Sequence, residues 1–82
     1  MTREPLSISD HAEAVWCQLL NVPAVGRDDD FFDLGGDSML AIKMLLDILG
    51  EAGAHIDFER YFERPTLGQL LAMIEEERDQ RS

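Results

Sequence analysis

Apolar residues recur at helical spacing in separate segments of this 82-residue chain, and this pattern limits the folds that it can adopt. The first segment carries an i, i+3, i+4 stripe, which is typical of an amphipathic helix with one buried face: Ala12, Val15, Trp16, Leu19 and Leu20. We expect this helix to run from about Asp10 to Leu20, with Asp10 and Glu13 as a capping box. Asn21 and Pro23 then end it.

Two further segments and a short one complete the predicted set of helices. The second helix should span about residues 38–52, with Asp37 well placed as its N-cap. Thr66 and Gln69 form a capping box that opens a last helix, and a short helical segment lies around residues 58–62. No segment alternates apolar and polar residues in the manner of a strand. The sequence therefore predicts an all-α fold, a small four-helix bundle of three longer helices and one short helix.

Length and charge narrow the classes of protein to which the chain can belong. Its 82 residues indicate a single domain, 1–82, with flexible ends at about 1–7 and 77–82. The formal net charge of -10 argues against binding to nucleic acid or to an anionic membrane, because both need Lys and Arg. The longest apolar stretch, 39–49, is too short to span a bilayer. A single cysteine cannot form an internal disulfide, and we expect a cytoplasmic location.

A long loop, residues 21–37, leads into the predicted second helix and ends with Gly35, Gly36 and Asp37. Loops of this length are uncommon in a small domain and often carry function. Three apolar residues should pin it to the core: Phe31, Phe32 and Leu34. Ser38 follows at the mouth of the helix, where free amides and a partial positive charge would stabilise a phosphate by roughly 0.3–1 kcal/mol. The local pattern leaves two readings open: Ser38 carries a phosphodiester, or it only caps the helix.

The eight residues from Phe31 to Ser38, FFDLGGDS, resemble the modification motif of carrier proteins. The form LGGDS is most similar to peptidyl carrier (thiolation) domains of nonribosomal peptide synthetases, and it is also similar to acyl carrier proteins of fatty acid and polyketide synthesis. The resemblance continues through residues 39–43, which suit the family's second helix, and through 62–67, which resemble the turn into its last helix. It implies an acyl carrier protein-like bundle.

The resemblance implies a function in which the chain itself has no catalytic residues and binds no metal. A phosphopantetheinyl transferase, using coenzyme A and a divalent metal, would attach 4'-phosphopantetheine to Ser38, supported by Gly35, Gly36 and Asp37. An adenylation enzyme would then load the thiol of the arm with an aminoacyl group as a thioester. Condensation, tailoring or thioesterase enzymes would use this thioester. We expect a monomer, and the glycine pair favours amino acid cargo.

A second apolar row lies beside the core stripe of the predicted second helix. The core stripe consists of Ala41, Met44, Leu45, Ile48 and Ala52. Met39, Ile42 and Leu46 form the second row, with Lys43 at its border, and this row begins next to Ser38. We expect these residues to contact partner enzymes, as the matching helix of carrier proteins does, and methionine suits a surface that accepts several partners. The alternative is that they pack beneath the long loop.

Other functions fit the sequence less well. An acyl carrier protein of a polyketide or fatty acid pathway would share the motif. An unmodified helical interaction module would share the acidity and the bundle but does not need the glycine pair. A serine hydrolase requires glycine where this chain has Leu40, and a calcium loop counted from Asp28 would have Phe32 at a ligand position. A free-standing carrier and a domain of a larger synthetase both fit, and the sequence does not identify the cargo.

Overall fold

The computed structural model describes residues 7–81 and places them in four helices. Their bounds are α1, Ile8–Leu20; α2, Ser38–Ala52; α3, Phe58–Phe62; and α4, Leu67–Arg81. Between residues 7 and 81 no strand forms, and one isolated β-bridge joins Asp30 to Thr66. The predicted all-α bundle of three longer helices and one short helix is confirmed. No helix in this part of the chain is long and apolar enough to cross a membrane.

The start of α1 differs from the prediction. The helix begins at Ile8 rather than near Asp10, and the Ser7 Oγ caps it by accepting a hydrogen bond from the Asp10 amide at 3.1 Å. The expected capping box of Asp10 and Glu13 is therefore wrong. Asp10 lies in the first turn instead, where a negative charge interacts favourably with the helix dipole. At the other end, Asn21 adopts a left-handed conformation with φ 57° and ends the helix as predicted.

The predicted flexible ends fall only partly within the described residues. Residues 1–6 and 82 lie outside them. Residue 7 caps α1, and residues 77–81 continue α4 as helix. The flexibility of both ends stays a prediction.

The caps of α2 and α4 follow the sequence closely. The predicted bounds of α2 are confirmed, and the Asp37 Oδ1 accepts a hydrogen bond from the Leu40 amide at 2.8 Å. At α4, the Thr66 Oγ1 accepts a hydrogen bond from the Gln69 amide at 3.1 Å. The second hydrogen bond of a capping box, from the Thr66 amide to the Gln69 side chain, is absent. The Thr66 amide donates to the Arg64 carbonyl instead, at 2.8 Å.

Three aromatic side chains fill the centre of the bundle. Trp16, Phe31 and Tyr61 are its largest fully buried side chains. The Trp16 and Phe31 rings meet edge to face, with centroids 5.0 Å apart and an interplanar angle of 81°. Such a pair contributes about 0.5–1.5 kcal/mol beyond the burial of its surface. The core stripe of α2 is buried as predicted at four positions and half-buried at the fifth: Ala41, Met44, Leu45, Ile48 and Ala52.

The directions of the helices bring the starts of α2 and α4 to the same end of the bundle. Near the start of α1, the His11 Nε2 lies 3.3 Å from the Asp47 Oδ1 near the end of α2, so these helices run antiparallel. Beyond the end of α2, the His55 amide donates a hydrogen bond to the Glu77 Oε1 in the later half of α4 at 3.4 Å. The end of α2 therefore lies beside the later half of α4, and the backbone contacts of Phe31 join the segments that precede their starts.

Phe31 connects the loop before α2 to the turn before α4. Its amide donates to the Pro65 carbonyl at 2.9 Å, and its carbonyl accepts from the Gly36 amide at 3.0 Å. A Cβ added at Gly36 would overlap the Phe31 ring and would lie 2.9 Å from the Phe31 carbonyl oxygen. The buried ring thus fixes the position of the glycine turn just before Ser38. The prediction that Phe31, Phe32 and Leu34 pin this loop is confirmed, since all three pack on the core.

Tyr61 holds the turn between α3 and α4 against the same loop. Its side chain is fully buried, and its hydroxyl donates a hydrogen bond to the Thr66 carbonyl at 3.3 Å. Burial, with a smaller effect from the charge of Asp30, raises the pKa of the Tyr61 phenol well above its ordinary value. The folded protein therefore holds this phenol in its neutral form.

We predict opposite effects for two glycine-to-alanine substitutions in this region of the chain. Gly36→Ala should lower the free energy of unfolding by about 1–3 kcal/mol, because the new methyl group overpacks against Phe31. Gly50→Ala should raise it by about 0.5–1 kcal/mol, since its Cβ would meet nothing within 4 Å and the residue lies inside α2. Urea unfolding of both variants checks this. A Gly36→Ala variant as stable as the parent would contradict the packing described for Phe31.

We also predict that alkaline pH destabilises the fold through Tyr61, the only tyrosine. The unfolded chain releases its phenol proton near pH ~10, whereas the folded chain retains it because its pKa is raised. This stabilising effect is complete below pH ~10 and is lost as the pH rises above that value. Near-ultraviolet absorbance of tyrosinate should therefore rise together with the loss of helical circular dichroism. Tyr61→Phe should reduce the alkaline decline in stability, and an equal decline in that variant would assign it to other groups.

Candidate functional site

Ser38 is the first residue of α2, and its side chain is exposed. The cap of this helix is Asp37, whose carboxylate accepts from the Leu40 amide, so Ser38 is not needed for capping. The Ser38 hydroxyl makes no hydrogen bond to any residue in the described part of the chain. The reading in which Ser38 only caps the helix is therefore wrong. Its oxygen is available for reaction with another molecule.

The first turn of α2 leaves backbone donors beside this hydroxyl. The Leu40 amide is satisfied by the Asp37 side chain, and the Ala41 amide donates to the Asp37 carbonyl at 2.9 Å. The amides of Ser38 and Met39 have no acceptor within residues 7–81. Free amides at the start of a helix favour an anion, such as a phosphate attached to the serine.

The two glycines before Ser38 satisfy two different constraints. Gly35 has φ 106°, a conformation that side-chain-bearing residues rarely adopt, and its amide donates to the Phe32 carbonyl at 3.0 Å. Gly36 has ordinary dihedral angles but no room for a side chain, because the Phe31 ring occupies that space. Together they form a tight turn that is packed against the buried Phe31 and leads to the exposed Ser38.

Asp30 is a structural contributor to this turn that the sequence analysis did not identify. Its Oδ1 accepts hydrogen bonds from the Phe32 amide at 2.8 Å and the Asp33 amide at 3.2 Å. This arrangement is an Asx turn, and it starts the turn of the loop that continues to the two glycines. The aspartates at 28–30 read as a charge run in the sequence, and nothing local separates the one that turns the loop from its neighbours.

The second apolar row of α2 is exposed. The exposed fractions are 81% for Met39, 41% for Ile42 and 63% for Leu46, and these are the exposed large hydrophobic side chains among residues 7–81. Lys43 is exposed beside them. The alternative that this row packs beneath the long loop is therefore wrong. The row gives the Ser38 end of the bundle an apolar surface, which is typical of a contact site for another protein.

The described residues do not bring a catalytic group to Ser38. His11 pairs with Asp47, and His55 follows the end of α2, so both histidines lie at the opposite end of the bundle from Ser38. No group of three or more His, Cys, Asp or Glu residues within 7–81 is arranged to hold a metal ion.

Comparison with known proteins agrees with this geometry. A family model described as the phosphopantetheine attachment site matches residues 12–74. Tyrocidine synthase 3 of Brevibacillus parabrevis is 48% identical over 62 residues, which cover 76% of this chain and 1% of that relative. The chain therefore spans a very small part of the length of the curated relatives that it matches.

Solved structures show the same fold. A structure described as a non-ribosomal PCP domain has a TM-score of 0.61 at 36% identity, covering 87% of this chain and 92% of that one. A chain in the structure of the phosphopantetheine transferase Sfp in complex with coenzyme A and a peptidyl carrier protein has a TM-score of 0.74 at 20% identity, covering 90% and 96%. This chain thus belongs to the phosphopantetheine attachment-site family, as a carrier domain of the peptidyl type found in nonribosomal peptide synthetases.

Proposed function

We propose that Ser38 is the residue of this carrier domain that receives 4'-phosphopantetheine. The observation that carries the proposal is an exposed hydroxyl without a hydrogen-bond partner, at the start of a helix that Asp37 already caps. The Ser38 Oγ would attack the phosphorus next to the pantetheine part of coenzyme A and form the new phosphoester bond. The pyrophosphate linkage of coenzyme A would break, adenosine 3',5'-bisphosphate would leave, and the hydroxyl proton would pass to a base of the transferase. The bound group would supply a terminal thiol that holds cargo as a thioester.

The surrounding residues fit such a group. The free amides of Ser38 and Met39 would donate hydrogen bonds to its phosphate oxygens, and the dipole of the 15-residue helix α2 would favour their negative charge. Gly35 leaves open space where a side chain would stand, so a transferase can approach closely, and Gly36 lets the turn pack against Phe31. Asp37 supports the site by holding the first turn of the helix through its bond to Leu40.

The apolar row on α2 is proposed as the surface that partner enzymes contact. Met39, Ile42 and Leu46 leave apolar surface in water, and Lys43 can pair with a partner carboxylate at its rim. The proposed partners are a phosphopantetheinyl transferase, an adenylation enzyme, and condensation, tailoring or thioesterase enzymes. The structural neighbour found with Sfp and coenzyme A supports the first of these, and the synthetase relatives support the others.

Several attributes of the whole protein remain predictions. Aminoacyl or peptidyl cargo is proposed because some of the relatives are described as nonribosomal peptide synthetases. A single domain over residues 1–82, a monomeric state and a cytoplasmic location are expected from the sequence. The family match over residues 12–74 supports a single carrier domain.

We predict that incubation with coenzyme A, magnesium ion and a broad-specificity phosphopantetheinyl transferase adds one phosphopantetheine group to the protein. Intact mass spectrometry measures the gain. Ser38→Ala should gain nothing, whereas Ser9→Ala, which removes a half-buried serine from α1, should gain the same group as the parent. A folded parent protein without the added mass, or modification of Ser38→Ala, would refute the assignment of Ser38.

We predict that a charge placed in the apolar row slows this modification without unfolding the protein. Met39→Asp or Leu46→Asp should lower the kcat/KM of the transferase roughly tenfold or more, because each places a charge in an apolar contact. Gln18→Asp is the matched control, since it adds the same charge at an exposed position of α1. Circular dichroism verifies folding. Equal kcat/KM values for Met39→Asp, Leu46→Asp and Gln18→Asp would exclude the row as a transferase contact.

A further inference from the structure

Two arginines that are far apart in the sequence line one groove at the start of α4. The groove has a volume of about 480 Å³, and its walls are Arg27, Asp28, Arg64, Thr66, Gly68 and Gln69. Both arginine side chains are exposed. In the described part of the chain neither arginine forms an ion pair, whereas Arg60 pairs with Glu76 at 3.1 Å. The net charge of the chain is -10, so the two arginines place positive charge on an otherwise acidic molecule.

The backbone holds both arginines in place. The Gly68 amide donates to the Arg27 carbonyl at 2.8 Å, and a Cβ at Gly68 would lie only 3.1 Å from that oxygen, so the residue must be small for this contact. The Arg64 amide donates to the Tyr61 carbonyl at 3.0 Å, and its carbonyl accepts from Thr66 at 2.8 Å. The backbone positions from which the two guanidinium groups extend are therefore fixed close to the start of α4.

The donors of the groove suit carboxylates. Each guanidinium can bind a carboxylate with two parallel hydrogen bonds, and the Nε2 of the Gln69 side chain is a further donor. Asp28 is the acidic side chain among the lining residues, so these side chains sum to one positive charge. The first amides of α4 do not take part, because those of Leu67, Gly68 and Gln69 already donate to Asp29, Arg27 and Thr66.

The groove lies at the end of the bundle that carries Ser38. Arg64 precedes Pro65, whose carbonyl accepts from the Phe31 amide, and the Phe31 carbonyl accepts from Gly36, two residues before Ser38. The groove and Ser38 are therefore connected through the backbone of Phe31. Because the rest of the molecule is strongly acidic, an acidic segment is repelled elsewhere and attracted here, which would fix its register.

We propose that the groove between Arg27 and Arg64 is a docking site for an acidic segment of a partner polypeptide, separate from the apolar row of α2. Its carboxylates bind the two guanidinium groups while the partner engages the Ser38 end of the domain. Binding of the acidic segment depends only on the groove. Its role when a partner enzyme binds the carrier domain rests on the proposed function of Ser38.

Nuclear magnetic resonance of the isotope-labelled full chain tests the proposal. The probe is a blocked peptide with two glutamates separated by one serine, and the same peptide with glutamines is its control. The glutamate peptide should shift the amides of Arg27, Asp28, Gly68 and Gln69, and the shifts should shrink as salt is added. Arg27→Gln combined with Arg64→Gln should raise the apparent Kd for the glutamate peptide roughly tenfold or more, since both charged contacts are lost. Arg60→Gln, which removes one positive charge outside the groove, should leave it unchanged.

Three outcomes would overturn the proposal: no shifts at these amides, equal shifts with the glutamine peptide, or equal affinity in the doubly substituted variant. Inorganic phosphate forms a further arm. Shifts with phosphate but none with the glutamate peptide would make the groove a small-anion site and would also refute polypeptide docking. The transferase assay on the same samples keeps the two questions apart, because modification of Ser38 is measured by mass and peptide binding by amide shifts.

Discussion

The contact between the Phe31 ring and the backbone of Gly36 is the constraint on which the presentation of Ser38 depends. The same ring packs edge to face on Trp16 of α1, so the site is connected directly to the centre of the core. Through its backbone, Phe31 also binds Pro65 before α4 and Gly36 before α2. One buried residue therefore fixes the start of α2, where Ser38 is exposed, relative to the turn before α4. A small bundle can hold a precise surface site in this way without enclosing it.

This organisation suits a protein that carries a group and leaves catalysis to others. Ser38 is exposed, lacks a base within residues 7–81, and lies beside free amides that fit a phosphate. Around it, the apolar row of α2 and the groove at Arg27 and Arg64 present surfaces of different chemistry at one end of the domain. Apolar contacts supply much of the binding energy in a protein interface, whereas charge complementarity supplies orientation and register. A carrier domain that binds several enzymes in turn can use the apolar row and the groove in different combinations.

The sequence predicts most of the fold because its signals are local. Asp37 lies directly before an apolar period, and the helix it caps has the predicted bounds, since a cap and an amphipathic stripe are properties of adjacent residues. The start of α1 was misplaced because Ser7 and Asp10 are both good capping residues. In the structure Ser7 is the cap, and Ile8 in the first turn packs against the core. Packing against the core is not visible in the neighbouring residues, so the sequence alone leaves both caps possible.

By itself, the sequence determined the four helices, the position of Ser38 at a helix start and the motif that indicates the family. Periodicity, caps and motifs are patterns of residues that lie within about two helical turns of one another in the sequence, so they can be recognised without knowing the fold. Only the tertiary structure decided which of two apolar stripes on α2 faces water, why Gly36 cannot carry a side chain, and that Arg27 and Arg64 share a groove. The physical reason is that each of these depends on the atoms of a distant segment, and burial and charge pairing are set by what lies opposite a residue and not by its neighbours in the chain.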